Sequence, residues 1–201
     1  MVEILVGPLR TSRKWSPGDT LDFTQPIAFS HDGVLEPEAC AALIARLEAV
    51  GFADAPITTA RGFVMRPDIR NNTRVIIDDV DLAASLWARV APLVPPVMCG
   101  RRAVGVNERF RGYRYHPGQR FAPHYDGAFR RDAHEESVLT FMLYLNEGMT
   151  GGATVFHDFG VEVVPRTGRA LFFQHPVLHE GAVIEQGVKY ALRSDVMYRE
   201  G

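Results

Sequence analysis

The chain has 201 residues, with 22 Lys and Arg against 24 Asp and Glu, a formal net charge of −2. That balance excludes the broad positive field that would gather nucleic acid or an anionic membrane, so neither is expected as a partner. The length suits one domain over residues 1–201, burying about 70% of its unfolded surface and able to enclose a cavity without disulfides.

The apolar residues Ile4 to Val6 are interrupted by Gly7-Pro8, too short a run for a signal core or a membrane span. Residues 7 to 26 are rich in Pro, Gly, Ser and Thr, with Trp15 the only large aromatic before Phe23. They read as an extended arm closed by a short strand near Ile27 to Phe29. From Pro37, the residues Cys40, Leu43, Ile44, Leu47 and Val50 recur at helical spacing. Pro37 suits a first turn and Gly51 a C-terminal cap. A second helix is expected from Asp81, as its cap, through Val90, stopped by Pro92. Between the helices, Arg70 to Arg74 reads as a polar loop feeding the strand Val75-Ile76-Ile77. Cys40 and Cys99 are the only cysteines, which predicts a reducing compartment, the cytoplasm. Nothing in the chain signals an oligomeric state.

After residue 100 the period changes to two. Strands are expected at about 104–115, 137–145, 153–156, 161–164, 169–174 and 189–198. Short strands after leading helices predict a mainly β (α+β) fold, a sandwich or jelly roll, with N-terminal support over about 30–100 packed on one sheet of a core over about 101–199. Leu139, Phe141, Leu143 and Leu145 would face the helices, leaving Thr140, Met142 and Tyr144 on the other side.

His124 and Asp126 stand two residues apart, so an extended backbone sends both side chains to one face. His179 supplies a third candidate ligand, with His175 as its rival. Two imidazoles and one carboxylate form the facial set that leaves metal positions open in non-haem Fe(II) oxygenases. His31, His116, His134 and His157 lie in loop-like surroundings and read as surface residues.

Taken in order with Tyr144, Gly151-Gly152-Ala-Thr154, the 165–173 run and Gly187-Val-Lys189-Tyr, these residues resemble the Fe(II)/2-oxoglutarate dioxygenases of the prolyl 4-hydroxylase type over roughly 104–199. The resemblance implies a double-stranded β-helix and a hydroxylase using Fe(II), with 2-oxoglutarate and O2 as cosubstrates and ascorbate as auxiliary reductant. It implies His124, Asp126 and His179 as metal and catalytic residues, and Lys189, ten residues past His179, as the cation for the distal carboxylate of 2-oxoglutarate. Arg193, at the spacing used in other branches, is the alternative. Tyr144, Tyr115 and Thr154 would line that end of the site. Asp126 stands where related halogenases have a small residue, which favours hydroxylation. The substrate, a peptidyl residue, a free amino acid or another small metabolite, is left open. Arg74, and Arg130 in the charged loop from Phe129 to Glu136, are candidate contacts to a substrate with an anionic group. The competing reading is a cupin-like metal-binding jelly roll acting as sensor or scaffold.

Overall fold

The computed structural model describes residues 2–9, 16, 19–59 and 62–201; Trp15 lies outside them. The described chain runs β1 (Val2–Val6), β2 (Ala28–His31), α1 (Pro37–Val50), β3 (Ala53–Asp54), β4 (Ile57–Thr59), β5 (Gly62–Val64), β6 (Thr73–Asp78), α2 (Val80–Val90), β7 (Val97–Met98) and β8 (Arg101–Val106). It continues through β9 (Arg109–Tyr115), β10 (Phe121–His124), β11 (Glu135–Tyr144), β12 (Thr150–Gly151), β13 (Thr154–Phe156), β14 (Val161–Val163), β15 (Ala170–Gln174), β16 (His179–Gly181), β17 (Ile184–Gln186) and β18 (Lys189–Arg199).

Two sheets face one another. The larger runs β1-β2-β15-β11-β18-β9-β6-β3, with β8 also on β18, and the smaller runs β10-β16-β13-β14. This is the double-stranded β-helix arrangement. The helices cover the outer face of the large sheet, where Cys40, Leu43 and Leu47 of α1 and Leu86 and Val90 of α2 join Leu139, Phe141, Leu143 and Leu145 in one buried cluster. Phe172 continues that layer, stacking on Phe141 at 5.2 Å and on Phe29 at 5.0 Å between ring centroids. A second cluster, including Tyr144, Phe156, Leu171 and Phe173, fills the space between the sheets.

α1 has the expected bounds, with Pro37 in its first turn and Gly51 at φ 95° donating its N–H to the Leu47 carbonyl at 3.2 Å. The cap of α2 is Asp79, not Asp81: Asp79 is extended, and its carboxylate accepts from the Leu82 N–H at 2.8 Å. The strand expected at 104–115 is broken into β8 and β9. Asn107 turns there, its side chain accepting from the Arg109 N–H at 3.1 Å while its own N–H reaches the Asp195 carbonyl at 2.8 Å. The apolar run near the N-terminus is the edge strand β1, paired with β2. Arg74 sits within β6, opposite Tyr113 of β9, rather than in a loop.

β9 lies under α1, and Gly112 makes the close approach feasible. A Cβ at Gly112 would meet both Leu47 δ-carbons at 2.8 Å and Val75 Cγ1 at 2.9 Å. Gly112→Ala therefore overpacks the helix–sheet seam and is expected to cost about 1–3 kcal/mol. Urea unfolding should show a lower midpoint at unchanged m, and Leu47→Ala in the same background should cost less than it does alone.

Candidate metal centre

The site is built where the small sheet meets the inner face of the large one. His124 ends β10 and His179 opens β16, and the antiparallel register makes them direct cross-strand partners with ring centroids 4.3 Å apart. Asp126 lies just past the end of β10, so the strand repeat alone does not aim it. Its N–H donates to the His175 carbonyl at 3.3 Å, and Thr140 Oγ1 of β11 donates to Asp126 Oδ2 at 2.6 Å. Arg193 Nη2 of β18 stands 3.3 Å from the same oxygen. One ligand atom from each of His124, Asp126 and His179 lies within 4.8 Å of the other two.

The hydrogen bonds fix which imidazole nitrogen faces inward. His124 Nδ1 is 2.8 Å from the Ala122 carbonyl, and His179 Nδ1 is 2.9 Å from the Val177 carbonyl. A carbonyl can only accept, so both Nδ1 atoms carry the proton and both Nε2 lone pairs are free. Those Nε2 atoms are 3.9 Å from Asp126 Oδ1 and 3.7 Å from Asp126 Oδ2. Burial pushes His124 down to about 4 and lowers His179 as well, so both rings are neutral at pH 7. Burial, the largest single influence, would raise the Asp126 carboxyl, but the Arg193 guanidinium, the His179 and His124 rings and the Thr140 hydrogen bond together outweigh it and hold the group below the usual carboxylate range. Neutral imidazoles and an ionised carboxylate are the charge states a divalent ion requires. The donor set fits Fe(II).

His175 does not join this group. Its ring nitrogens contact Ser137 Oγ at 2.8 Å and Thr140 Oγ1 at 3.0 Å, so it stands behind Thr140 and helps direct the hydroxyl at Asp126. This supporting pair was missed in the sequence, although Thr140 was placed on the correct face.

Alternate residues of β18 point inward, so Lys189, Ala191 and Arg193 line one cavity, of about 30 Å³, together with His124, Asp126 and His179. Lys189 is buried at its inner end. Its Nζ donates to the Gly152 carbonyl at 2.5 Å and lies 5.4 Å from the Tyr115 ring centroid and 5.3 Å from that of Tyr144. No carboxylate pairs with it among the described residues, and burial lowers it from its usual 10.5 to about 7. A buried amine without a counter-ion is the polar feature that an incoming carboxylate would complete. Gly152 sits at φ 74°, and a Cβ there would meet Ile184 Cδ1 at 2.3 Å and Lys189 Cδ at 3.3 Å, so only glycine lets its carbonyl approach the amine. The Tyr144 hydroxyl is bonded to Thr154 Oγ1 at 2.7 Å, and both residues are buried.

On the outer side of the ligand group a wider cavity of about 520 Å³ is lined by Arg70, Arg74, Arg111, Tyr113 and Arg193. Arg74 is thus brought to the site. Arg130 is not: it is largely exposed, 3.2 Å from Glu136, and does not line the cavity. Arg111 escaped the sequence reading, although it shares the β9 face of Tyr113 and Tyr115, two and four residues away.

Residues 110–194 match the model of the 2OG-Fe(II) oxygenase superfamily. A stretch of 77 residues is 31% identical to prolyl 4-hydroxylase subunit alpha-1 of Rattus norvegicus and 30% identical to that of Bos taurus. The match takes in 35% of this chain and 14% of each relative, so the chain corresponds to a small part of those proteins. Among solved structures, the viral collagen prolyl hydroxylase of Paramecium bursaria Chlorella virus-1 in complex with 2OG has a TM-score of 0.64 at 20% identity, covering 85% of this chain and 96% of that one. A Pseudomonas putida prolyl-4-hydroxylase has 0.61 at 22%, covering 87% and 94%. A Trichoplax adhaerens prolyl hydroxylase in complex with a hypoxia inducible factor peptide has 0.66 at 17%, covering 87% and 84%. At these identities the structures report on the fold.

Thr140 touches both Asp126 and His175, so Thr140→Val should weaken divalent-ion binding by about 10–100-fold with little loss of fold. Titration of the apoprotein with Mn(II), followed by the paramagnetic signal of the free ion, measures this directly.

Proposed function

We propose, from the match of residues 110–194 to the 2OG-Fe(II) oxygenase superfamily and the likeness to prolyl 4-hydroxylase subunit alpha-1, that the chain is an Fe(II)- and 2-oxoglutarate-dependent hydroxylase of a prolyl 4-hydroxylase-like form. Its substrate would be a peptidyl residue, a free amino acid or another small metabolite. The observation that carries this reading is the pairing, in one cavity, of a complete His-Asp-His donor set with a buried, unpaired Lys189. A metal-binding sensor or scaffold has no use for such an amine, which argues against that alternative.

With Fe(II) bound, 2-oxoglutarate and O2 yield succinate and CO2, and one oxygen atom enters a C–H bond of the substrate. The chain's own residues do the positioning. His124, Asp126 and His179 would hold the ion, with Arg193 and Thr140 fixing Asp126 so that both imidazoles meet it. Lys189 would bind the distal carboxylate as a charge-assisted pair in low dielectric, with Tyr115 beside it and the Tyr144–Thr154 pair behind. Admitting the cosubstrate requires the inner cavity of about 30 Å³ to widen. Two of the side chains that line it, Lys189 and Met142, are unbranched and can turn. Arg193 is engaged by Asp126 and Asp195, which leaves Lys189 as the free cation for 2-oxoglutarate among the described residues of that cavity.

Both cysteines are free, which supports a reducing setting such as the cytoplasm, and no helix among the described residues is long and apolar enough to cross a membrane. The function is tested by succinate release in the presence of Fe(II), ascorbate and a panel of amino acids, Pro-containing peptides and small acids. Asp126→Ala should abolish it while circular dichroism is unchanged. Substrate-stimulated succinate release by Asp126→Ala would contradict the assignment.

Lys189 also gives a pH signature. Its lowered pKa means that between about 7 and 10.5 the unfolded chain holds a proton that the folded chain lacks, so the stability of the ligand-free protein should rise across that window. A bound dicarboxylate favours the ammonium form, so 2-oxoglutarate binding at pH 8 should take up a proton, and at pH 6 should take up almost none. Calorimetry in two buffers of different protonation enthalpy measures the uptake; equal uptake at pH 8 and pH 6 would contradict it.

A further inference from the structure

The outer cavity carries more positive charge than the proposed chemistry uses. Four guanidinium groups, Arg70, Arg74, Arg111 and Arg193, line it, and Asp126 is the single carboxylate among its described lining residues. Arg193 is committed to Asp126 and Asp195. The other three are not matched in this way. Arg70 is only 4% exposed, its Nε bonds Asn72 Oδ1 at 2.7 Å, and its Nη2 is buried without a hydrogen-bond partner. Arg111 Nη1 is also buried without a hydrogen bond; it lies 3.9 Å from Asp195 Oδ2, on a carboxylate whose other oxygen is 3.2 Å from Arg193. Arg74, half-buried, has no hydrogen bond or ion pair among the described residues, and burial together with the charges of Arg70, Arg111 and Arg193 lowers its pKa.

Several arginines elsewhere have hydrogen-bonded carboxylates: Arg114 has Glu48, Arg109 has Asp78, Arg131 has Glu108 and Arg169 has Asp32. The register sharpens the contrast, because Arg111 and Arg193 are direct cross-strand partners on β9 and β18. Like charges directly opposite destabilise a sheet, and buried guanidinium groups without counter-ions are costly, so the arrangement calls for an anion. The cosubstrate does not supply it if its distal carboxylate sits on Lys189, at the far end of the inner cavity. Planar guanidinium forks bind carboxylate and phosphate oxygens in pairs.

We infer that the substrate is a small organic acid whose oxyanion, a carboxylate or a phosphate, is gripped by Arg70, Arg74 and Arg111, with the C–H bond to be attacked turned toward His124 and Asp126. This rests on the hydroxylase reading above and narrows it. The volume of about 520 Å³ suits a small molecule. Asp126 is already committed to the metal group, so the described lining offers no free carboxylate for an ammonium, and a zwitterionic amino acid fits less well than an acid lacking that charge.

The test uses the whole protein loaded with Mn(II) and 2-oxoglutarate, titrated with matched probes: N-acetylproline against N-acetylprolinamide, and phenyl phosphate against phenol. In at least one pair the acid should bind roughly tenfold or more tightly than its neutral partner, with an affinity that falls as salt rises. The preference should be lost in Arg74→Gln and in Arg111→Gln, while 2-oxoglutarate binding in the same samples is unchanged. Those two positions are used because Arg70 is packed against Tyr113 and Phe121, and its loss endangers the fold. Preference for the carboxylate or for the phosphate pair identifies the oxyanion. Equal binding of acid and neutral probes, no probe binding, or a preference that survives both substitutions would overturn the inference. Failure of the wild type to bind Mn(II) and 2-oxoglutarate would instead overturn the hydroxylase reading beneath it, and this inference with it.

Discussion

The site depends on one buried, ionised carboxylate. Asp126 leaves the small sheet just after β10, yet the groups that keep it charged, Thr140 and Arg193, belong to β11 and β18 of the large sheet. Burial alone would raise the pKa of a carboxylate in that position; Arg193, together with the two imidazoles and Thr140, reverses the balance. The same contacts tie the two sheets together at their open end, so the group that would hold a metal also fixes the spacing of the walls around it. The imidazoles are set independently by the β10–β16 register and by carbonyls two residues before each ring. Pre-organisation of this kind needs stiff elements, and His179 has them, with Phe173 packed 4.4 Å from its ring.

Charge divides the interior into two ends. Lys189 waits at the inner end, its hydrogen bond among the described residues going to a carbonyl, and three arginines without a hydrogen-bonded carboxylate among the described residues stand at the outer end. Between them the ligand group is closely balanced, Arg193 against Asp126 and Asp195. Buried uncompensated cations are costly to keep, and their confinement to two cavities flanking one donor set gives a physical reason to expect an anion on each side.

Much of this was legible in the residues. Period two in 139–145 assigned the helix-facing and cavity-facing sides of β11, because a strand buried on both faces still alternates between two different neighbours. The spacing of Lys189 and Arg193 put both on one face of β18, and both do line the inner cavity. The break at Asn107 and the cap at Asp79 were not legible, since each depends on a tertiary partner: the Asp195 carbonyl in one case and, in the other, the extended backbone that joins β6 to α2. Arg111 was overlooked for a similar reason. Its place beside Arg74 and Arg193 follows from pairing strands far apart in sequence, which a single-strand pattern does not contain. Arg130 failed the other way, a charged loop residue that found its partner locally in Glu136.

The central claim is that the His-Asp-His group and Lys189 act as the two ends of one cosubstrate site. Thermal unfolding with Mn(II), with 2-oxoglutarate and with both together tests it most directly. If the claim holds, 2-oxoglutarate stabilises strongly only when Mn(II) is present, by about 2.7 kcal/mol at a hundredfold excess over Kd, and Lys189→Met loses that increment while keeping the metal's own effect. Equal stabilisation by 2-oxoglutarate with and without the ion, or an undiminished increment in Lys189→Met, would contradict the account.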